Sequence, residues 1–333
     1  MTGQAEIGCK WHFAEQTGGT DIGPNDAMSQ IFKKVPYEAL VRESIQNSLD
    51  AVYDRTKPVE VHFSISSVNG KSYPNLFELR QHIDGCLAMY PGDDAMKKFK
   101  PMHDYLDKAY FERLSYLQVS DYNTTGMNYS KDDPNSPFYA FVRSKGVSAK
   151  SNNAAGGSFG FGKAAYFNVS RISTVFISTK VIGGSTFFEG ESYLCTHKIE
   201  GKKLVDAGYY DNNDGEPISA PSMIPQRFLR DEPGTDISIL GLRDEESREE
   251  IFAQIKNAVL LNFWMSILDK KLVVSIGDEV IDSDNLDDVI NDMFPNFEDM
   301  KRRYINCRPY YEAVRNAETD NKHILVQQRL PRL

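Results

Sequence analysis

The sequence predicts a mixed α/β fold, in which several strands form one sheet with helices packed on it. Segments whose apolar residues alternate strictly, such as VEVHFSIS at 59–66, are typical of half-buried strands. Segments with a helical period, such as YEALVRESIQNSLDAVYD at 37–54, lie between them. With 333 residues, 41% of them hydrophobic and 26% charged, the chain can bury a large core without disulfides or structural metals.

The elements can be placed in order along the chain. Residues 1–35 contain glycine and proline breakers and are predicted to be an irregular arm or covering segment. Pro36 suits the first turn of the helix at 37–54, and two helices within 75–114 are predicted to form an insertion between strands. The later elements are predicted as strands at 116–120, 172–179, 186–195, 235–240 and 271–276, a long helix at 246–270 and helical residues at 284–318.

Composition excludes several classes of protein. The formal net charge of -9 opposes a general coating of nucleic acid, because an acidic chain repels a phosphate backbone. No apolar run approaches the ~18 residues of a membrane span, and the N-terminus lacks the layout of a signal peptide, so we expect a cytoplasmic protein without a membrane partner. The four cysteines lie far apart with no CxxC pair, so neither a disulfide framework nor a zinc site is predicted.

The first helix has two chemically different faces. At about 100° per residue, Val41 and Ile45 stack on one side, while Glu43, Asn47 and Asp50 stack on the other. One face is therefore expected to pack and the other to present carboxylates and an amide. In an isolated helix such a polar face is more often simply solvated. Short Asn and Asp side chains, instead of the long Lys and Glu typical of solvated faces, favour a binding surface here.

Two strand ends carry polar residues that could contact a bound base. Asp121 directly follows the strand at 116–120 and precedes a turn that ends in Gly126 and Met127. A carboxylate at this position could accept a hydrogen bond from an exocyclic amine, although an ordinary strand-to-turn aspartate is more common. Thr235 follows Gly234 at the start of a strand, where its hydroxyl could reach the same ligand or merely suit the strand.

A glycine-rich segment, GGSFGFGKAAYF at 156–167, precedes a predicted helix. Glycines leave backbone N–H groups unshielded, and a helix N-terminus attracts phosphate, although such turns also serve as plain hinges. Residues 157–163 also satisfy G-x-x-x-x-G-K formally. The next residue, Ala164, lacks the hydroxyl that would hold magnesium in a phosphate loop, and no buried strand precedes the segment, so that match is coincidental.

Taken together, these motifs resemble those of the GHKL ATPases, which group DNA gyrase, heat-shock chaperone ATPases, histidine kinases and mismatch-repair ATPases on the Bergerat nucleotide-binding fold. The motifs are E-x-x-x-N-x-x-D-A at Glu43, Asn47, Asp50 and Ala51, D…GM at Asp121, Gly126 and Met127, G-x-F-G-x-G at Gly157, Phe159, Gly160 and Gly162, and GT at Gly234 and Thr235. Each motif is weak alone, but four in the family's order are specific. The resemblance covers roughly residues 36–276 and implies a Bergerat-type mixed sheet with helices on one face.

The resemblance implies ATP and Mg²⁺ as cofactors and assigns roles to the motif residues. Glu43 is expected to be the general base that activates water, and Asn47 the ligand of the magnesium ion. Asp121 is expected to bind the adenine amino group with support from Thr235, and Asp50 to buttress the base-binding network. The other residues that the resemblance places at the nucleotide are Gly126, Met127, Gly157, Phe159, Gly160, Gly162 and Lys163, the glycines of 157–162 allowing a lid to close and Lys163 adding charge.

The resemblance also implies a division of the chain and a set of partners. The chain is expected to divide into an arm at 1–35, an ATP-binding domain at 36–280 with an ATP lid at about 122–158, and a helical region at 281–333. This last region is similar to the start of a transducer-like domain. Gyrase-like relatives couple ATP binding to dimer closure, so a homodimer is expected, with a protein or DNA partner in a DNA-handling or antiviral system.

This sequence departs from the family pattern in two places. The turn DYNTTGM is one residue longer than the usual D-x-G-x-G-M and has Asn123 or Thr124 where a glycine is usual. No counterpart is identifiable for the lysine with which gyrase-like relatives contact the γ-phosphate from a second domain.

ATP hydrolysis is the activity that this resemblance favours, and two alternatives remain. Histidine kinases typically carry an amide where this chain has Glu43, and no phospho-acceptor helix precedes residue 36, so phosphotransfer to histidine is the less favoured activity. A nucleotide-sensing clamp with little or no turnover would use the same residues. It differs from the ATPase in whether turnover depends on Glu43.

Overall fold

The computed structural model describes residues 9–25, 35–69, 75–144, 162–212, 215–242, 247–295 and 306–320. The strands are β1 (Lys10–Glu15), β2 (Val59–Asn69), β3 (Arg113–Tyr122), β4 (Thr174–Lys180), β5 (Thr186–Tyr193), β6 (His197–Ile199), β7 (Lys202–Asp211), β8 (Gly234–Leu240), β9 (Leu272–Ile276) and β10 (Glu279–Ile281). The helices are α1 (Pro36–Asp50), α2 (Leu76–Met89), α3 (Asp93–Phe111), α4 (Pro137–Arg143), α5 (Ala164–Val169), α6 (Arg248–Leu268), α7 (Leu286–Met293) and α8 (Arg308–Asp320).

All ten strands of the described residues belong to one mixed sheet, which confirms the predicted α/β class. The strand order is β1-β7-β5-β4-β8-β3-β2-β9-β10, and β6 pairs with the first three residues of β7. β2 and β9 are parallel, whereas the other paired strands are antiparallel. Because β3 and β8 pair antiparallel with Ser120 opposite Asp236, the end of β3 lies beside the start of β8. This register brings Asp121 and Thr235 together.

The helices α1 and α6 pack on each other and on one face of the sheet. α6 begins with a capping box, in which the Glu250 N–H donates to Ser247 Oγ over 3.2 Å and the Ser247 N–H donates to the Glu250 carboxylate over 3.0 Å. Among the described residues, α6 alone has the length and composition to cross a membrane. Its residues Ile255, Val259 and Leu260 are fully buried in the protein core.

Helices lie on both faces of the sheet, so the expectation of helices on one face is wrong. α2 and α3 bury Leu79 and Phe99 in a second apolar cluster, which includes Phe176 of β4. The neighbours of Phe176 along β4, Val175 and Ile177, point to the opposite face and join the cluster under α1. The reason is that the central strands carry apolar side chains at consecutive positions, so each face needs its own cover.

The N-terminal segment contributes a strand that the sequence analysis did not predict. β1 pairs antiparallel with β7 at the edge of the sheet, and Trp11 and Phe13 are buried while the residues between and beside them are exposed. The expectation of irregular structure is therefore wrong for residues 10–15. The alternation spans only six residues, too few to stand out beside the breakers that follow.

The described part of 281–333 packs on the same core as the rest of the chain. Leu286 and Ile290 of α7 and Tyr311 of α8 are buried in the cluster that also contains α1 and α6. The Tyr311 hydroxyl donates to Asp287 over 2.7 Å, which ties α8 to α7. The two helices thus extend the layer that covers α6.

Candidate functional site

The polar face of α1 meets the start of α5. The Asn47 amide donates to Glu43 Oε1 over 3.3 Å, and both side chains are half-buried. Gly162, just before α5, approaches so closely that a Cβ at this position would overlap the Glu43 carboxylate. Tyr166 of α5 is fully buried, with Asn47 as a hydrogen-bond partner of its hydroxyl and the Glu43 charge nearby. Burial and this charge hold the pKa of Tyr166 well above its usual range, so the phenol is neutral.

The Asp121 carboxylate at the end of β3 accepts three hydrogen bonds. Oδ1 accepts from the Thr124 hydroxyl and from the Thr235 N–H, both over 2.7 Å. Oδ2 accepts from the Ser48 hydroxyl of α1 over 3.1 Å, and Ser48 shares its single proton between Oδ2 and the Ser44 carbonyl at 3.0 Å. Each carboxylate oxygen can accept two bonds, so Oδ2 retains acceptor capacity. Ser48 directly follows Asn47, and α1 therefore connects the Asp121 carboxylate to the Glu43–Asn47 pair.

Burial raises the pKa of Asp121 above its usual value of 3.8, since removing a carboxylate from water disfavours its charge. Four neighbours oppose that rise in pKa: the hydrogen bonds from Thr124 and Thr235, the charge of Arg230 and the hydrogen bond from Ser48. Asp121 is a half-buried residue whose carboxyl is surrounded by donors and has one acceptor position remaining, which is the arrangement expected of a group that recognises a donor on a ligand.

The Thr235 hydroxyl is oriented by a neighbouring threonine on β4. Thr179 Oγ1 donates to the Gly234 carbonyl over 3.0 Å and accepts from the Met127 N–H over 2.9 Å. Its single proton is thus committed, so in the 3.1 Å contact between the two hydroxyls Thr235 is the donor. The Thr235 oxygen then offers only acceptor positions to a ligand, as Asp121 does. Met127, predicted from its motif, joins this network through its backbone.

The turn after Asp121 is shaped by Asn123 and Gly126. Asn123 has φ +57°, the left-handed conformation that asparagine tolerates better than most residues. Its side chain accepts from the Asp54 N–H over 3.0 Å and donates to the Pro58 carbonyl over 3.0 Å, which fixes the loop between α1 and β2. Gly126 has φ +67°, and a Cβ there would overlap the Lys180 carbonyl, so this predicted glycine is required by geometry.

Arg230 is a buried residue near Asp121 that the sequence analysis missed. Its guanidinium donates to the Asp121 carbonyl, pairs with the Asp236 carboxylate and lies 4.6 Å above the Tyr122 ring. A Cβ on Gly234 would overlap both Arg230 and the Asp121 carbonyl. Arg230 therefore fixes the backbone beneath the Asp121 carboxylate. No motif marks it, because it lies in the loop before β8 and reaches the site only through the fold.

The other predicted residues lie in different surroundings. Asp50 is exposed and accepts from Gln46 over 3.0 Å, and the bond that supports the Asp121 carboxylate from α1 comes from Ser48 instead. Lys163 is buried, and its ammonium donates to the Val142 carbonyl over 2.7 Å and to Glu191 over 2.8 Å. Its charge is therefore directed into the interior. Gly157, Phe159 and Gly160 lie outside the described residues.

The arrangement separates into two chemical parts on one helix. One part, around Asp121, offers hydrogen-bond acceptors. The other, around Glu43 and Asn47, offers one carboxylate and one amide, and within the described ranges no group of three or more His, Cys, Asp or Glu side chains could hold a metal ion by itself. An ion at Asn47 would need further oxygen ligands from a bound molecule or water, as Mg²⁺ in phosphate sites usually has.

Comparison with known proteins assigns no family. No family model matches the chain, and no curated protein is significantly similar to it.

Proposed function

We propose that this protein binds ATP with Mg²⁺ and hydrolyses it, as the cytoplasmic ATPase module of a larger GHKL-type machine. The observation that carries the proposal is the position of α1 between the two parts of the site. Its Ser48 hydroxyl donates to the Asp121 carboxylate, while Glu43 of the same helix accepts from Asn47 and lies against Gly162. A rigid helix sets the spacing between a base-binding carboxylate and a phosphate-end carboxylate, which is the positioning that phosphoryl transfer requires.

The acceptors around Asp121 suit adenine. Asp121 Oδ2 can only accept because it is a carboxylate oxygen, and the Thr235 hydroxyl oxygen can only accept because its proton is donated to Thr179. Adenine presents a 6-amino donor, whereas guanine presents a carbonyl oxygen at the same position. A buried acceptor opposite that oxygen would be left unpaired, which is costly. The polar groups therefore favour an adenine nucleotide.

The groups around Glu43 suit the phosphate end. Since the carboxylate accepts from the Asn47 amide nitrogen, the Asn47 carbonyl oxygen is turned away from it and is the atom that would hold Mg²⁺. When bound, the ion neutralises phosphate charge. Glu43 would accept the proton of the attacking water, and its carboxylate is held by Asn47 on one side and by the backbone at Gly162 on the other.

Replacement of Glu43 by Gln tests whether the site turns over ATP. The substitution keeps the side chain's size and removes its capacity to accept a proton, so we expect the rate of phosphate release to fall by about 10² to 10⁴ while the ATP dissociation constant stays within a few-fold. Glu38→Gln on the same helix is the matched control and should retain the wild-type rate. Equal rates in Glu43→Gln and wild type would contradict hydrolysis through Glu43 and favour a nucleotide-sensing clamp.

We also propose that ATP binding promotes a homodimer. The support is the family resemblance alone, and residues 10–15 of the suggested arm lie in the sheet of their own chain. Light scattering of Glu43→Gln with Mg-ATP should give twice the mass of the nucleotide-free protein. A monomer at high protein concentration with saturating nucleotide would contradict the dimer without affecting the proposed hydrolysis.

A further inference from the structure

A groove of about 340 Å³ lies at the other end of β2 and β3 from Asp121. It is bounded by the end of β2, the start of β3 and the loop before β8, and two arginines, Arg113 and Arg227, line it. Arg113 and Asp121 are eight residues apart on β3, which corresponds to roughly 25 Å along a strand. The groove is therefore separate from the proposed nucleotide site.

The two guanidinium groups of this groove converge on one backbone carbonyl. Arg113 donates through Nη2 to the Ser67 carbonyl over 2.9 Å and through Nε to Ser67 Oγ over 2.7 Å. Arg227 donates through Nη1 to the same carbonyl over 3.4 Å and to the Tyr116 hydroxyl over 3.2 Å. Both arginines are exposed, and their bonds to the strands orient the two charged groups toward the groove.

Within the part of the chain that the structure describes, no carboxylate neutralises the charge of either arginine. Neither Arg113 nor Arg227 forms an ion pair with a carboxylate there, although the sequence has 47 acidic residues against 38 basic ones. Arg80 and Arg143, by contrast, each pair with an aspartate or glutamate. Two like charges that share one carbonyl repel each other, and an anion between them would reverse that repulsion.

We propose that Arg113 and Arg227 bind a phosphate group carried by a small ligand. Nη1 of Arg113 and Nε and Nη2 of Arg227 have no hydrogen-bond partner among the described residues, so N–H donors remain for an anion. Guanidinium groups match phosphate oxygens in pairs. A groove of this volume is in the range for small-molecule sites, whereas the net charge of -9 opposes a long polyanion such as nucleic acid.

Calorimetric titration with inorganic pyrophosphate in magnesium-free buffer tests this site. The wild type should bind one pyrophosphate in the groove, and the double substitution Arg113→Gln and Arg227→Gln should weaken that binding at least tenfold, since charge-assisted bonds are lost from both sides. The matched control is Arg248→Gln with Arg315→Gln, which makes the same change in net charge on helices α6 and α8 and should bind as the wild type does. Thermal unfolding of each variant verifies the fold.

The outcomes separate this site from the proposed ATPase. The double variant of Arg113 and Arg227 should bind Mg-ATP as the wild type does, because the proposed nucleotide site lies elsewhere. Equal pyrophosphate affinity in wild type and double variant, or no pyrophosphate binding by the wild type, would overturn the anion site whatever the ATPase assay gives. A duplex DNA oligonucleotide that displaces pyrophosphate and binds more tightly would overturn the small-ligand assignment.

Discussion

The substitution Gly162→Ala tests whether activity requires the Glu43 carboxylate to stay in its position beside Gly162. In Gly162→Ala the new Cβ meets the end of a flexible side chain, so the Glu43 carboxylate can move aside at little cost to the fold. We expect the unfolding midpoint to stay within a few degrees of the wild type and the ATPase rate to fall at least ~10²-fold, since the carboxylate is displaced. Gly92→Ala, where a Cβ would meet open space, is the control.

The contradicting result for Gly162 is a rate equal to that of the wild type. It would mean that the Glu43 carboxylate need not occupy the position seen beside Gly162. A large loss of stability would instead mean that the backbone at Gly162 cannot tolerate a side chain at all, and the control at Gly92 separates this from a general effect of alanine.

Single residues were predictable where a motif fixes both residue type and spacing. The structure places Glu43 beside Asn47 and Asp121 beside Thr235, as two pairs joined by α1. Their chemical roles stay predictions. Residues that reach the site through tertiary packing were not singled out. No motif marks Arg230, and Tyr166 lies near the end of the glycine-rich segment without being one of its motif residues.

At the scale of elements, two buried histidines connect the helical insertion to the sheet. His82 Nδ1 of α2 lies 2.8 Å from His197 Nε2 of β6, and His197 Nδ1 lies 2.8 Å from the Cys195 carbonyl. A carbonyl only accepts, so His197 carries its proton on Nδ1 and His82 donates to Nε2. Burial, with a smaller contribution from His197, lowers the pKa of His82 to about 3, and burial also lowers that of His197.

The neutral histidine pair makes the fold sensitive to acid. Between pH 6.5 and about 3 the unfolded chain binds a proton at His82 that the folded chain does not, so stability falls as the pH falls. For His82 alone the loss between pH 7 and pH 5 is about 2 kcal/mol. Urea unfolding at both pH values should show this loss reduced in His82→Gln and retained in His62→Gln, a more exposed strand histidine. Identical losses in the wild type and His82→Gln would contradict the account.

Elements were predictable where a period repeats over enough residues. Patterns in the sequence anticipate α1, β2, β4 and α6, and the predicted insertion forms two helices. The strands β1, β6, β7 and β10 were not predicted. β1, β6 and β10 have three to six residues, which hold too little alternation, and the ten residues of β7 do not alternate strictly between buried and exposed positions. The second helical layer was missed because the expectation of helices on one face came from the family resemblance. The consecutive apolar residues of β4, Val175, Phe176 and Ile177, do indicate a strand that is buried on both faces.

At the scale of the whole molecule, the two proposed binding sites lie at opposite ends of β3. Asp121 lies at one end of β3, and Arg113 at the other. The helices α2 and α3 cover the face that a single layer of helices would leave open. We expect the two ends to bind their ligands independently unless a ligand changes the sheet between them, and this expectation follows from the rigidity of a packed core.

Replacement of Asp121 by Asn tests the central claim, which is that this carboxylate recognises an adenine nucleotide. The oxygen of the introduced amide can accept from Thr124 and Thr235 as Oδ1 does, and its nitrogen can donate to Ser48. The internal hydrogen bonds are thus kept, while the acceptor that faces the ligand becomes a donor. Removing a buried charge that disfavours folding should leave the variant at least as stable as the wild type.

Calorimetric titration of wild type and Asp121→Asn with Mg-ATP is therefore the most direct measurement. The account predicts that the wild type binds one ATP per chain and that the folded variant binds at least ~10²-fold more weakly. Equal affinity in the two proteins, or no heat with the wild type, would contradict it.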